Sequence, residues 1–147
     1  RRHHRPVTVS DPEGLLDTSA VLALHRVRDP SLLPDVALIS AVTLAELSVG
    51  PLVAADDIER ARRLAQVQQA EADFDPIPFD APAARAYAQV AAAYRRSGRK
   101  PAARSFDAMI AATAIANDLP LYTANPADFA GIDGLAVRAV PAPGREG

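Results

Sequence analysis

Cysteine is absent from the 147 residues, so disulfides, thiolate metal sites and cysteine nucleophiles are excluded together, as a reducing compartment permits. Histidine is nearly absent too. His3 and His4 stand in a basic leader and His25 stands alone, so a histidine-based zinc site and a Ser/His/Asp triad both lack their parts. No apolar run approaches the ~20 residues that a membrane-crossing helix needs, and no charged n-region followed by an apolar h-region marks the start. A cytoplasmic protein with no membrane partner is expected. Any metal must be held by oxygen, which points to Mg²⁺ or Mn²⁺.

What is present fits one domain: 49% hydrophobic and 23% charged residues lie in the ordinary globular range, and the formal net charge is −2. That charge gives no hint of a polyanionic partner. Its distribution says more. No acid stands between Asp80 and Asp107, where Arg85, Arg95, Arg96, Arg99, Lys100 and Arg104 all fall.

Residues 1–13 carry charges and two prolines without periodicity and read as a flexible leader, 14–140 as the folded domain and 141–147 as a flexible tail. Gly14 to Asp17 predicts a short buried strand, with Thr18 or Ser19 available to cap the helix that follows. Val36 to Ile39 predicts a second strand. Ser40 then opens a helix from Ala41 to about Val53, with Leu44, Ala45, Leu47 and Leu52 for its buried side. A more polar helix over 56–73 has Ile58, Leu64 and Val67 to face inward.

Pro76 and Pro78 limit Ile77 to an edge-like strand, and Asp80 caps a helix from Ala81 to about Arg96. Ser105 is expected to cap a helix from Phe106 to about Asn117. Its stretch from Ala108 to Ala116 holds no charge, which marks a central, buried helix. Leu119 to Thr123 and Leu135 to Val140 read as the last strands. Strands alternating with helices imply an α/β protein with a parallel sheet covered on both faces, its site beyond the carboxyl ends of the strands.

Four carboxylates stand where that rule wants functional groups. Asp17 closes the first strand, either as a helix cap or as a surplus acid. Glu46 is the only charge between Val36 and Asp56, and a carboxylate on so apolar a helix needs a partner. Asp107 lies in the first turn of the most buried helix, where the backbone dipole favours an anion, with or without a function. Asp128 follows another strand end and is otherwise an ordinary turn residue. Crowded carboxylates repel unless cations sit between them, and a divalent ion or two resolves this. Such ions activate water against phosphorus without a histidine base.

The order of motifs resembles a known family: Leu-Leu-Asp-Thr-Ser-Ala at 15–20, Val-Thr-Leu-Ala-Glu-Leu at 42–47 with Gly50 after it, Phe-Asp-Ala-Met-Ile-Ala-Ala-Thr-Ala at 106–114, and Leu-Pro-Leu-Tyr-Thr-Ala-Asn-Pro-Ala-Asp-Phe at 119–129. These resemble a PIN-domain ribonuclease of the VapC toxin type. The resemblance implies a three-layer α/β/α fold around a parallel sheet and Mg²⁺- or Mn²⁺-dependent endonuclease cleavage of RNA. It also implies a cognate VapB-type antitoxin and a homodimer. Carried over, Asp17, Glu46 and Asp107 match the family's three core carboxylates and Asp128 the fourth, whose place varies enough that Asn125 also competes for it. Ser19, Thr123 and Asn125 match the polar residues that orient them. Phe106 stands where many relatives carry a polar residue.

Arg95, Arg96, Arg99, Lys100 and Arg104 offer a path for the RNA backbone or an antitoxin contact, or else a solvated helix end. Two further readings compete with the nuclease. One is a non-catalytic protein-binding module on the same fold. The other is a phosphotransferase or phosphatase with Asp17 as nucleophile, although Ser19 occupies the place where that chemistry wants a second acid.

Overall fold

Leu15 and Leu16 are both completely buried, and consecutive strand residues face opposite ways, so the two leucines define two cores on either side of one sheet. A computed structural model of the protein describes residues 10–142. The strands are β1 (Glu13–Leu16), β2 (Val36–Ile39), β3 (Leu121–Thr123) and β4 (Val137–Ala139), all parallel, in the order β2-β1-β3-β4. Leu15 packs with Val90, Tyr94, Ala108 and Ala111 of helices α4 (Ala81–Arg96) and α5 (Ser105–Ala116). Leu16 packs with Ala20, Leu47, Val67 and Ala70 of α1 (Thr18–Ala23), α2 (Ala41–Val49) and α3 (Asp57–Asp73). This is the three-layer α/β/α arrangement, and burying each leucine contributes about 1.5–3 kcal/mol.

The charge-free stretch of α5 is the central helix expected from the sequence: Ala108, Ile110, Ala111, Ala112 and Ala114 are fully buried. Its start differs. Pro101–Arg104 forms a 3₁₀ turn that runs straight into the helix, so Ser105 is already helical and makes no side-chain cap. Ile77 makes one parallel bridge to Ser40, its N–H donating to the Ile39 carbonyl at 2.9 Å, as prolines on either side allow.

Helix α2 is shorter than expected, because Gly50 and Pro51 turn the chain into a 3₁₀ segment, Gly50–Val53. Leu52 is consequently exposed rather than buried. In α3, Val67 and Ala70 face the sheet while Ile58 and Leu64 lie exposed, since one helix face can reach a single neighbouring layer. Among the described residues, no helix is long and apolar enough to cross a membrane.

Residues 1–9 lie outside the described part, but Asp11 belongs to the folded body: it accepts from the Tyr122 hydroxyl at 2.6 Å and from Arg138 Nε at 3.0 Å. The Tyr122 hydrogen bond, and then Arg138, hold its carboxyl below the usual range. Of the expected tail, 143–147 lie outside the described residues.

Gly14 is where β1 passes the Tyr122 ring. A Cβ there would lie 2.5 Å from Tyr122 Cε1, 2.8 Å from Cδ1 and 3.0 Å from Pro34 Cβ. The ring is pinned through its hydroxyl and cannot yield cheaply. Gly14→Ala is therefore expected to cost roughly 1–3 kcal/mol, the range for overpacking, read as a lower urea midpoint with an unchanged slope.

Candidate active site

Asp17 directly follows β1, in extended conformation, and is 4% exposed. Its Oδ1 accepts from Ser19 Oγ at 2.7 Å and from the Ala20 N–H at 2.9 Å, and its Oδ2 from Thr123 Oγ1 at 2.6 Å. Asp17 itself is thus the cap of α1, in place of Thr18 or Ser19. A carboxylate has about four lone-pair positions, so three bonds leave one on Oδ2, and capping does not exclude holding a cation. Burial pushes the Asp17 carboxyl above its ordinary pKa, against the three hydrogen bonds, and the charge of Asp128 adds to the rise.

Dispensed from capping, the two hydroxyls do other work. Ser19 Oγ accepts from the Ala124 N–H at 2.9 Å, fixing the chain after β3. Thr18 Oγ1 donates to Glu46 Oε1 at 2.6 Å and is the partner that an acid on an apolar helix requires. The sequence placed Thr18 only as a possible cap. Its role follows from α1 meeting α2, which local spacing does not report. Asn125 contributes its backbone N–H to Thr123 Oγ1 at 3.0 Å, and its exposed side chain makes no hydrogen bond among the described residues.

Asp107 feels the charge of the other three acids. Its pKa is pushed up to about 6, first by burial and then by the charges of Asp128, Glu46 and Asp17, with Arg104 pulling the other way. Arg104 Nη1 stands 2.9 Å from Asp128 Oδ1 and 3.7 Å from Asp107 Oδ2, one cationic group serving two acids. Tyr94 lies beneath them: burial and the charge of Asp107 raise its phenol to about 12, and the hydroxyl donates to the Asp128 carbonyl at 3.2 Å.

Among the described residues, no three Asp, Glu or His side chains form a ready-made metal cage. The donors are nonetheless of the right kind. Mg²⁺ favours oxygen, keeps several waters and commonly takes only one or two protein carboxylates. A guanidinium between Asp107 and Asp128 also shows that this spot accommodates positive charge.

The basic block divides. Arg99 lies over the Tyr94 ring at 4.3 Å and donates to the carbonyls of Asp128 and Ala130, both at 2.6 Å, so it holds the loop that carries Asp128. Arg104 is engaged by the acids. Arg95, Arg96 and Lys100 are exposed.

A four-stranded parallel sheet with acids after β1 and β3 and on the adjoining helices defines an α/β domain with an acidic surface at the carboxyl ends of its strands. Residues 14–135 match the PIN domain, and the chain belongs to that family, in its VapC branch. Ribonuclease VapC5 of Mycobacterium tuberculosis is 42% identical over 125 residues, covering 84% of this chain and 90% of that protein. A ribonuclease VapC of Rickettsia bellii is 30% identical over 130 residues, covering 86% and 96%. The crystal structure of VapBC-5 from Mycobacterium tuberculosis superimposes with a TM-score of 0.75 at 37% identity, over 88% of this chain and 99% of that one.

The raised Asp107 pKa carries a stability signature. Between about pH 4 and pH 6 the native carboxyl keeps a proton that the unfolded chain has lost, so stability falls as pH rises through that window. Asp107→Asn removes the penalty. In metal-free buffer at pH 7.5 it is expected to stabilise the protein by on the order of 2 kcal/mol, and the gain should vanish below pH 4 in parallel urea titrations.

Proposed function

We infer that the chain is an endoribonuclease toxin of a type II toxin–antitoxin pair, acting in the cytoplasm on RNA and held in check by a cognate VapB-type antitoxin. The observation that carries this reading is Asp107, a half-buried acid of a PIN domain whose carboxyl is raised first by burial and then by the charges of three acids on separate elements. Its relatives named ribonuclease VapC, and the VapBC structures it resembles, support both the activity and the partner. A homodimer fits the same reading.

Asp17, Glu46, Asp107 and Asp128 would hold Mg²⁺ or Mn²⁺. When bound, the ion supplies an activated water at neutral pH and charge stabilisation on the leaving oxygen. The protein's own part is positional. Ser19 and Thr123 lock Asp17 in one orientation, Thr18 aims Glu46, and Arg99 and Arg104 fix the loop and side chain of Asp128. In this reading the phosphodiester meets an anionic surface that only a cation makes hospitable.

Asp107→Ala is expected to reduce Mg²⁺-dependent cleavage of a single-stranded RNA by about 10²-fold or more, the scale on which one lost electrostatic stabiliser acts. It should also abolish the rise in melting temperature that Mn²⁺ gives the parent protein, while circular dichroism stays native. Full activity in this variant would refute the assignment. A parent protein that binds Mn²⁺ and cuts no RNA would favour the non-catalytic binding module instead.

Thr18→Val tests positioning separately. It leaves all four acids in place and frees Glu46 to rotate, so Mn²⁺ affinity should fall about 10–100-fold, as for the loss of an outer partner of a metal ligand. A calorimetric titration reads this directly.

A further inference from the structure

The basic block is one of the places where RNA could lie, yet two of its arginines are consumed in holding Asp128. A different group of arginines shares a cavity with Glu46. Between α1, α2 and α3 lies a cavity of about 450 Å³, whose lining includes Thr18, Glu46, Arg26, Arg62, Arg63 and Gln66. Leu22 and the buried Leu47 give it an apolar surface. Its size falls in the roughly 300–1,000 Å³ range of small-ligand pockets.

Two of the arginines are held in place by Glu59. Glu59 Oε2 accepts from Arg63 Nε at 2.8 Å, and Arg63 Nη1 donates to the Gly50 carbonyl at 2.9 Å, so Arg63 is part of the wall. Glu59 Oε1 takes Nε and Nη2 of Arg62, leaving Nη1 without a partner among the described residues. Arg26 is exposed at the rim. Three cations against Glu46 and Glu59 leave the lining net positive, and a cation neutralising Glu46 would make it more so.

We propose that this cavity is a nucleotide subsite for single-stranded RNA beside the cleaved bond, with Arg26 and Arg62 on the phosphate and Gln66 on the base edge. The proposal rests on the ribonuclease reading, and three features of the cavity carry it. Glu46 belongs to both the acidic site and the cavity, so a strand whose scissile phosphate lies among the carboxylates passes directly into it. An apolar surface beside an amide with both donor and acceptor suits an unstacked base, which only single-stranded RNA presents. Finally, a second, more apolar cavity of about 180 Å³ adjoins the first through Leu22 and Gln66 and continues to Phe74, giving a polymer somewhere to go.

The test is fluorescence anisotropy with the full chain in EDTA, using short labelled homopolymers of A, C, G and U, so that binding is read without cleavage. Arg26→Ala with Arg62→Ala is expected to weaken all four by about tenfold and to reduce the slope of log affinity against log salt by about 1. The corresponding lysine pair should restore the slope and part of the affinity. Gln66→Ala should leave the slope alone and change the ranking of the four bases. Equal affinities and ranking in parent and variants would overturn the proposal. So would unchanged RNA binding with a loss of binding to labelled polyglutamate, titrated as a control, which would mark the cleft as a polypeptide surface. RNA bound through Arg26 and Arg62 but left uncut in Mg²⁺ would sink the ribonuclease reading and with it the place beside a cleaved bond, while upholding the cavity as a site for single-stranded RNA.

Discussion

A carboxylate withdrawn from water stays in place only when its oxygens are met, and at Asp17 that requirement ties the chemistry of the site to the register of the sheet. The donors come from α1 and from β3, and β3 lies alongside β1 because Leu16 pairs with Tyr122. The Asp17 N–H continues the same ladder, donating to the Tyr122 carbonyl at 3.0 Å. A slip of one residue would turn Thr123 to the other face and leave Oδ2 empty. Fold and site are therefore specified by one set of bonds.

Repulsion is the second half of that constraint. Glu46, Asp107 and Asp128 stand on three separate elements, and each needs an anchor of its own. Thr18 anchors Glu46, Arg104 bridges Asp107 and Asp128, and Arg99 clamps the turn from Asp128 to Ala130 against the Tyr94 ring. The alanines of α5 have a related part. Side chains no larger than a methyl let that helix lie close on the sheet, so an acid in its first turn reaches the strand ends.

Much of this was legible in the sequence. Strand–helix alternation located the sheet, the charge-free run located α5, and the four acids stood out because each lay at a strand end or on an otherwise apolar helix. Nothing local to Thr18 says that it will meet Glu46, 28 positions away, and nothing in the run from Arg95 to Arg104 separates arginines that brace a loop from those left on the surface. Ser105 resembled a cap by composition, but Pro101 had already begun a helical turn. Ile58 and Leu64 resembled core by type, and only the position of the sheet decides which face of α3 is covered. In each case tertiary contact settled what propensity left open.

The placement of β1 has a mechanical consequence. The strand lies between β2 and β3, parallel to both, and the Asp11 links to Tyr122 and Arg138 secure its entry. Force drawn on the chain ahead of β1 would shear two hydrogen-bond ladders together rather than unzip one. Once β1 yielded, β2 would part from the β3–β4 pair and Asp17 would leave with the departing strand. A machine that unfolds the protein from this end would disarm it at its first success, before the helices come undone.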